Sequence, residues 1–383
     1  MQIQWSSGYG LEVSPAPSDR RPSRARRPVG YGSAMNRPGT VVVGMSGGVD
    51  SSAAAALLRE QGWDVVGVTL HLWDYVKEGH AGRCCAPEDQ YDAARVCAAL
   101  DVPHYTFDRR ALFREKVVDR FVRDYADGLT PSPCVRCNES VKLGPLFEIA
   151  CRLGASHVAT GHYARVSRDG DGVSLRVAHD RDRDQSYFLW AAPAEALRAL
   201  VLPLGELTKP EVRRAAERHG LLNADKPDST DLCFVEGGGY ADFVAERTTP
   251  RPGTIETVDG RVVGEHQGVH AFTVGQRRGV GAGGAPRYVL KIVPERAAVV
   301  VGSADEATRR SVRVEGTRWL TADRPAEVTV KLRYRHPGAR ATIVESHGDA
   351  LVLALAEPQR GVAPGQAAVL YDGDRVVAGA WIA

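Results

Sequence analysis

The spacing of apolar and polar residues predicts strands and helices that alternate through the first part of the chain. The first unit is a buried apolar strand at residues 41–44, an Ala- and Leu-rich helix at 52–61, and a second strand at 64–70. Gly62 follows the helix, as a glycine often does where a helix ends. Three elements within about 30 residues are typical of a crossover unit between two parallel strands.

The same alternation continues to residue 160. Around a proline-containing loop at 127–138, it predicts helices at 88–100, 110–125 and 141–153, and strands at 103–107 and 156–160. Such an order favours the α/β fold class with a doubly wound parallel sheet. Sheets of this kind bind ligands at the C-terminal ends of their strands.

Beyond residue 237 the helices give way to strand patterns rich in Gly, Val and Thr. Asp259 with Gly260 and Asp372 with Gly373 are typical hairpin turn pairs. We therefore expect four segments: a disordered tail at 1–38, an α/β domain at 39–240, a small strand-rich domain at 241–302, and a C-terminal antiparallel β-barrel at 303–383.

Residues 327–335 alternate strictly, which predicts a single strand over the whole segment. One face carries Val328, Val330, Leu332 and Tyr334, and the other carries Thr329, Lys331, Arg333 and Arg335. A basic strand face is suited to following the phosphates of a nucleic acid.

The composition indicates the class of protein but says little about its function. The 383 residues are 43% hydrophobic and 25% charged, as expected for a soluble protein of several domains. The net charge of +2 comes from the Arg-rich tail, so the rest of the chain is slightly acidic. An apolar run of about 18 residues is absent, as is a secretory leader, and we expect a cytoplasmic protein with no membrane partner. We also expect deletion of residues 1–34 to leave the activity intact.

A Gly- and Ser-rich turn, GMSGGVDSS at 44–52, joins the first strand to the first helix. Gly47 and Gly48 allow a ligand to approach the backbone, and the N-terminus of the helix attracts anions. Asp50 is suited either to capping the helix or to binding a metal ion. The motif matches neither the Walker loop nor the dinucleotide fingerprint. It therefore predicts a phosphate-binding loop of another kind.

Seven cysteines are too few for a disulfide scaffold, so the conspicuous ones are candidates for catalysis or metal binding. TPSPCVRCN at 130–138 holds a C-x-x-C pair before a helix, where Arg136 and the helix N-terminus would favour the thiolate of Cys137. Cys233 lies in DSTDLCF at 228–234, where the α/β pattern ends. A lone C-x-x-C pair leaves structural zinc as an alternative. Cys97 and Cys151 lie in apolar helical patterns and are expected to be buried and inert.

Seven motifs, in this order, resemble those of the tRNA-specific 2-thiouridylases of the N-type ATP pyrophosphatase (PP-loop) superfamily. They are GMSGGVDSS at 44–52, TPSPCVRCN at 130–138, ATGHYAR at 159–165, RDQSYFL at 183–189, DSTDLCF at 228–234, TVGQRRGVG at 273–281 and KLRYRHPG at 331–338. One position departs from the family: Ser132 stands where the family usually has Asn, and its shorter side chain has less reach toward a target base.

The resemblance implies ATP-dependent 2-thiolation of the wobble uridine, position 34, in the tRNAs for Lys, Glu and Gln. In this family ATP adenylates the base, and the cysteine matching Cys233 carries a persulfide supplied by a cysteine desulfurase or a relay protein. The cysteine matching Cys137 then forms a transient disulfide with it. An iron–sulfur cluster on Cys134, Cys137 and Cys233 is an alternative that the sequence leaves open.

The resemblance also implies the binding residues. ATP would contact Gly44, Met45, Ser46, Gly47, Gly48, Val49, Asp50, Ser51, Leu70 and Gly161, with Asp50 as the candidate ligand of Mg²⁺. The tRNA would contact Ser132, Pro133, Cys134, Asp184, Gln185, Ser186, Arg333 and Tyr334.

Two other classes of function remain open at this point. One is a PP-loop ligase that uses a nitrogen nucleophile from glutamine, which would not need Cys137 or Cys233. The other is an RNA-binding module with a degenerate nucleotide loop. The sequence assigns no role to Cys84 and Cys85.

Overall fold

The computed structural model describes residues 39–74, 87–169, 172–228, 232–235, 239–280 and 286–383. The tail at 1–38 and the pair Cys84 and Cys85 lie outside the described residues.

Strands make up most of the second half of the described chain. In chain order they are β1 (Thr40–Gly44), β2 (Asp64–His71), β3 (His104–Asp108), β4 (His157–Ala159), β5 (Arg165–Asp169), β6 (Gly172–Arg176), β7 (Leu200–Val201), β8 (Gly253–Thr257), β9 (Val262–His266), β10 (Tyr288–Val293), β11 (Ala298–Gly302), β12 (Thr308–Trp319), β13 (Glu327–Lys331), β14 (Ala339–His347), β15 (Ala350–Arg360), β16 (Ala367–Asp372) and β17 (Arg375–Ile382).

The helices lie mainly in the first half. They are α1 (Val49–Glu60), α2 (Pro87–Ala99), α3 (Arg110–Phe113), α4 (Asp119–Ala126), α5 (Pro133–Cys137), α6 (Gly144–Arg152), α7 (Ala194–Ala199), α8 (Lys209–Arg218) and α9 (Tyr240–Ala245). Two π-helical segments, Arg114–Val118 and Asn138–Leu143, join α3 to α4 and α5 to α6. Among the helices of the described residues, none has the length and apolar character needed to cross a bilayer.

The N-terminal sheet is parallel, with strand order β3-β2-β1-β4-β7. Its first strand shows why the sheet is covered on both faces. Val42 packs into the hydrophobic cluster on one face, whereas Val41 and Val43 pack with α1 on the other. The chain leaves β1 toward β2 and later returns to its other side at β4, so a crevice opens at the C-terminal ends of β1 and β4. The predicted α/β class and doubly wound sheet are confirmed.

One predicted loop is partly helical. The prolines at 131 and 133 favour a loop through residue 138, but α5 begins at Pro133. Proline is tolerated in the first turn of a helix because the N–H it lacks would have no partner there. Both cysteines of the C-x-x-C pair therefore lie in a helix, and the helical run extends to Arg152 through α6.

The remaining described strands form two β domains. β10-β11-β8-β9 is a small central sheet. β12-β15-β14-β13-β16-β17 is closed into an antiparallel barrel by the pairing of β12 with β17. The hairpin β5–β6 leaves the α/β domain and adds to the barrel at β17, where Arg176 is paired with Arg375. The predicted central strand-rich region and C-terminal barrel are confirmed as parts of the fold.

The prediction of one continuous strand over 327–335 is wrong in its second half. β13 ends at Lys331, and the next four residues form a bend and a turn. Gly338 has φ +102, and its N–H donates to His336 Nδ1, so the connection to β14 folds tightly. The basic residues consequently do not share one strand face.

Candidate functional site

A cavity of about 1460 Å³ lies at the C-terminal ends of β1, β2 and β4, and part of the barrel closes it. Of the residues predicted to bind ATP, the lining includes Gly44, Met45, Ser46, Gly48, Val49, Asp50, Ser51, Leu70 and Gly161. Cys134, Asp184, Gln185 and Tyr334 from the predicted tRNA set also line it. The cavity thus combines the phosphate loop with groups from the barrel.

Serine side chains hold the phosphate loop in shape. Ser51 Oγ donates to Gly48 O (3.1 Å) and accepts from Ser46 N–H (3.1 Å), and Ser52 Oγ also donates to Gly48 O (3.0 Å). Gly48 is the N-cap of α1 and supplies no side-chain cap. The first turn of α1 lines the cavity, which is the arrangement that helix N-termini use to bind phosphate.

The two glycines of the loop have different structural roles. Gly47 has φ +75, and a Cβ there would lie 2.1 Å from the carbonyl oxygen of Asp89. Gly48 has φ −84, and its added Cβ would meet nothing closer than Ser46 Oγ at 3.5 Å. The fold itself therefore requires glycine at position 47, whereas position 48 has room that a ligand can use.

An ion-pair network that was not found from the sequence crosses the floor of the site. Lys209 Nζ lies 2.7 Å from Asp50 Oδ1 and 2.7 Å from Asp228 Oδ1. Tyr163 donates its hydroxyl to Asp50 Oδ1 (2.8 Å), and Arg183 pairs with Asp228 Oδ2 (2.6 Å). Burial and the Asp50 carboxylate raise the pKa of Tyr163, so its hydroxyl remains a donor. No local pattern pairs Lys209 with Asp50 because they are far apart in the chain.

Cys137 and Cys233 share one hydrophobic cluster. We call it the aromatic cluster, and its rings include those of Trp73, Phe113, Phe121, Phe234 and Phe243. Cys137 is buried in it, and the half-buried Cys233 packs against it. Leu70, Leu72 and Leu232 belong both to this cluster and to the cavity wall. The two thiols therefore lie in a single apolar region that borders the cavity.

Cys97 and Cys151 were both predicted to be buried, and only Cys97 is. Cys97 is fully buried, and burial raises the pKa of its thiol to about 12, as expected for an inert cysteine. Cys151 is exposed near the end of α6, so the expectation that it is buried is wrong. Its helix packs on one face only, and the apolar pattern of the sequence overstated the width of that face.

Arg136 has partners other than the one used in the sequence argument. Its guanidinium lies 3.6 Å from the centroid of the Trp381 ring and 3.0 Å from Glu139 Oε2. Adjacent residues on a helix do not face each other, and Arg136 joins α5 to the barrel. The effect of Arg136 on the Cys137 thiolate stays a prediction.

Several residues predicted to touch tRNA form contacts between the domains. Asp184 is buried and accepts from Ser186 Oγ (3.0 Å) and from Lys331 Nζ (3.1 Å) on β13. Ser132 Oγ accepts from the N–H of Ala367 (3.2 Å), and with Pro133 it lines a separate cavity of about 230 Å³. Lys331 is thus not on a solvated basic face. The predicted base contact of Ser132 stays a prediction.

Tyr334 and Phe188 form an aromatic pair on the barrel side of the cavity. Their ring centroids are 4.3 Å apart, with an interplanar angle of 36°. Both rings line the cavity, as does Gln185, whose Oε1 accepts from the N–H of Tyr163 (2.9 Å). Arg333 is exposed, and its guanidinium lies 3.4 Å from the carbonyl oxygen of Arg360.

Three family models match the chain in succession. They are the tRNA methyl transferase HUP domain at residues 39–237, the tRNA methyl transferase PRC-barrel domain at 241–303, and the aminomethyltransferase beta-barrel domain at 309–382. The tRNA-specific 2-thiouridylase MnmA of Sorangium cellulosum is 51% identical over 350 residues, covering 88% of this chain and 91% of that protein. The MnmA protein of Rhodospirillum centenum is 49% identical, covering 89% and 91%. The chain belongs to the tRNA-specific 2-thiouridylase family.

Membership of the 2-thiouridylase family makes the chain a tRNA-uridine 2-sulfurtransferase with a nucleotide-binding domain. It excludes both alternatives left open by the sequence, the amide-forming ligase and the RNA-binding module without activity. A solved 4-thiouridine synthetase–RNA complex with bound ATP is 15% identical, with a TM-score of 0.34, covering 55% of this chain and 50% of that chain. Similarity at this level supports no inference.

The cysteines that the structure describes in this 2-thiouridylase do not bring three thiolates together around one point. The described residues include Cys134, Cys137 and Cys233, and within that part of the chain no group of three His, Cys, Asp or Glu side chains could hold a metal ion. Cys134 is exposed at the cavity, whereas Cys137 is buried in the aromatic cluster. A site for iron–sulfur or zinc needs its thiolates around one point.

Asp50 has one carboxylate oxygen rather than two with which to bind Mg²⁺. Its Oδ1 already accepts hydrogen bonds from Lys209 and Tyr163, which leaves Oδ2 as the oxygen for a cation. Mg²⁺ in nucleotide sites is bound through one or two carboxylates together with phosphate oxygens. Asp50 therefore stays a prediction as a ligand of the Mg²⁺ that accompanies ATP.

Proposed function

We propose that this enzyme thiolates C2 of the wobble uridine, position 34, with sulfur carried as a persulfide on Cys233. The observation that carries the proposal is the placement of two thiols in one apolar cluster behind the wall of the phosphate-loop cavity. Cys233 and Cys137 come from segments far apart in the chain, and the fold brings both into this cluster. A sulfur relay needs a second thiol close to the cysteine that carries the persulfide.

ATP first activates the base. The phosphate loop and the first turn of α1 bind the triphosphate, with Gly48 allowing the closest approach. The uridine O2 attacks the α-phosphorus, pyrophosphate leaves, and the oxygen becomes part of an AMP leaving group. The pyrophosphate would lie over the loop, with Lys209 and Tyr163 holding Asp50 in place.

Sulfur transfer then takes place in two steps at the persulfide of Cys233. The terminal sulfur of its persulfide attacks C2 of the base, and AMP departs with the former O2 oxygen. The thiolate of Cys137 attacks Cys233 Sγ, and the electron pair of the S–S bond leaves on the sulfur attached to C2. The products are 2-thiouridine and a Cys137–Cys233 disulfide, which a thiol reductant must reduce before the next turnover.

The target base must leave its stack in the anticodon loop to reach the cavity. The ring pair Phe188 and Tyr334 is suited to stacking on an extruded base, because base–aromatic stacking is worth about 1–3 kcal/mol. Cys134 and Gln185 also line the cavity near the rings. The tRNAs for Lys, Glu and Gln, and a cysteine desulfurase or relay protein as sulfur source, enter from the family resemblance. The same holds for a cytoplasmic location.

The test is sulfur transfer in vitro. Unmodified tRNA is incubated with the enzyme, ATP-Mg²⁺, cysteine and a cysteine desulfurase, under air and under anaerobic conditions, and nucleosides are quantified by mass spectrometry. We expect 2-thiouridine from the wild type in both atmospheres. Cys233→Ser and Cys137→Ser should form none above background.

Cys151→Ser is the matched control, because Cys151 is an exposed thiol at the surface of α6. It should retain wild-type activity. Activity confined to an anaerobic, iron-loaded enzyme would contradict the persulfide mechanism. So would a Cys233→Ser variant that still forms 2-thiouridine.

A further inference from the structure

Lys209 is a buried cation shared between two functional segments. Its Nζ lies 2.7 Å from Asp50 Oδ1 and 2.7 Å from Asp228 Oδ1, and its side chain is only 9% exposed. Asp50 belongs to the phosphate loop, whereas Asp228 lies five residues before Cys233. Lys209 itself begins α8, so a third element supplies the connection.

The segment that leads to Cys233 is attached to the phosphate loop at a second place. Asn223 Nδ2 donates to the carbonyl oxygen of Gly47 (2.9 Å) and to Ser52 Oγ (2.9 Å). Lys226 Nζ pairs with Asp92 Oδ2 (2.6 Å) on α2. Residues 223–226 are thus held by several contacts. Nearer Cys233, Asp228 is held by Lys209, Arg183 and Arg213. Of these three cations, Lys209 is the one that also pairs with Asp50.

A shared cation makes its two carboxylates depend on each other. A buried ammonium needs nearby negative charge, and two carboxylates without it would repel each other. The phosphates of ATP bring further negative charge to the loop beside Asp50. The nucleotide therefore changes the balance of charge around Lys209, and with it the strength of the contact to Asp228.

We propose that Lys209 is a positioning residue that couples the nucleotide in the phosphate loop to the placement of Cys233. This inference rests on the proposed function, because it assumes that Cys233 carries the persulfide. The coupling would bring Cys233 into the correct position once the base has been activated. Lys209 acts through Asp50 and Asp228 and forms no bond to the reacting atoms.

The test separates base activation from sulfur transfer. Enzyme loaded with persulfide is mixed with ATP-Mg²⁺ and tRNA for a single turnover, and pyrophosphate and 2-thiouridine are both measured. Lys209→Met and Asp228→Asn should raise the ratio of pyrophosphate to 2-thiouridine by about tenfold. A change of this size lies within the range of coupling free energies measured between residues in direct contact. Lys209→Arg, which keeps the charge and can bridge two carboxylates, should restore most of the coupling. The double variant Lys209→Met with Asp228→Asn should be no worse than either single variant.

A second readout follows Cys233 directly. The rate at which iodoacetamide alkylates Cys233 is measured by peptide mass spectrometry, with and without a non-hydrolysable ATP analogue. The wild-type rate should respond to the analogue, and Lys209→Met should abolish the response. Arg218→Met is the matched control, because Arg218 ends the same helix and makes an exposed pair with Glu60 at 3.9 Å. It should behave as the wild type.

Three results would overturn the inference. The first is a loss of pyrophosphate release in Lys209→Met that equals the loss of 2-thiouridine, since Lys209 would then act on the phosphates. The second is a Cys233 alkylation rate that responds to the analogue in Lys209→Met as in the wild type, and the third is a wild-type rate that does not respond. If Lys209→Met fails to fold, Lys209→Arg and Asp228→Asn decide the matter. A wild type that forms no 2-thiouridine would instead refute the proposed function.

Discussion

Alanine at the two adjacent glycines of the phosphate loop should give opposite phenotypes. At Gly47 the new methyl group would lie 2.1 Å from the carbonyl oxygen of Asp89, and the residue would have to keep φ +75. A left-handed conformation costs an L-residue about 1–2 kcal/mol. Overpacking against neighbouring atoms costs about 1–3 kcal/mol more. Gly47→Ala should therefore destabilise the protein by about 2–5 kcal/mol, and its melting temperature should fall by about 5–15 °C.

At Gly48 the protein has room for the methyl group. The nearest atom is Ser46 Oγ at 3.5 Å, and φ is −84, so the loss of stability should stay within about 1 kcal/mol. The methyl group would instead occupy space that the account gives to a phosphate. Gly48→Ala should bind ATP at least about tenfold more weakly, which corresponds to 1.4 kcal/mol.

Differential scanning calorimetry and titration with a non-hydrolysable ATP analogue separate the two effects. A wild-type melting temperature in Gly47→Ala would refute the close contact with Asp89. Wild-type affinity in Gly48→Ala would refute the approach of phosphate to this part of the loop. Gly62→Ala has no neighbour within 4 Å but keeps a positive φ of +88, so it measures the backbone cost alone.

Three further predictions address other parts of the site. Asp184→Asn leaves Lys331 without its carboxylate partner, so calorimetry should show a protein less stable by about 3 kcal/mol, with unchanged affinity for ATP; equal stability would contradict the contact between domains. Burial lowers the pKa of His162 from 6.5 to about 3. Below pH 6.5 the unfolded chain therefore binds a proton that the native protein does not bind, and the free energy of unfolding decreases as the pH falls toward 3. Urea unfolding at pH 7.5 and 5.0 should show a larger loss for the wild type than for His162→Gln, by up to about 2 kcal/mol, and equal losses would refute the shift. Tyr334→Ala should weaken tRNA binding in filter assays by about 1–3 kcal/mol without affecting ATP binding, whereas unchanged binding would exclude stacking on this ring.

The order of strands and helices around the phosphate loop was predictable because local periodicity sets it. The two apolar runs and the Ala- and Leu-rich stretch between them correspond to β1, β2 and α1 within a few residues. The GMSGGVDSS loop was likewise evident, since its glycines and serines act on their own neighbours. Features of this kind need no knowledge of distant parts of the chain.

Contacts between distant segments were not predictable. Nothing near Lys209 in the chain indicates that it reaches Asp50. The alternation of residues 327–335 likewise does not show that β13 ends at Lys331 and is followed by a bend and a turn. The helix that begins at Pro133 was missed because proline both ends and begins regular structure. Each of these outcomes depends on partners that only the folded chain supplies.

The separate roles of Gly47 and Gly48 show the same limit at a smaller scale. Both were expected to make room for a ligand. The structure shows that Gly47 makes room for the backbone of α2, a contact that no spacing rule reveals. Glycine in a loop indicates close approach, but the approaching atoms come from the tertiary structure.

One single-turnover experiment tests the central claim most directly. The enzyme is loaded with ³⁴S on Cys233 by a desulfurase and labelled cysteine, freed of both, and mixed with ATP-Mg²⁺ and unmodified tRNA. Nucleoside mass spectrometry follows the label, and peptide mass spectrometry follows the cysteines. We expect ³⁴S-labelled 2-thiouridine to form together with a Cys137–Cys233 disulfide, at equal rates and in equal amounts. Labelled 2-thiouridine without that disulfide, or label that stays on Cys233 while pyrophosphate is released, would contradict the account.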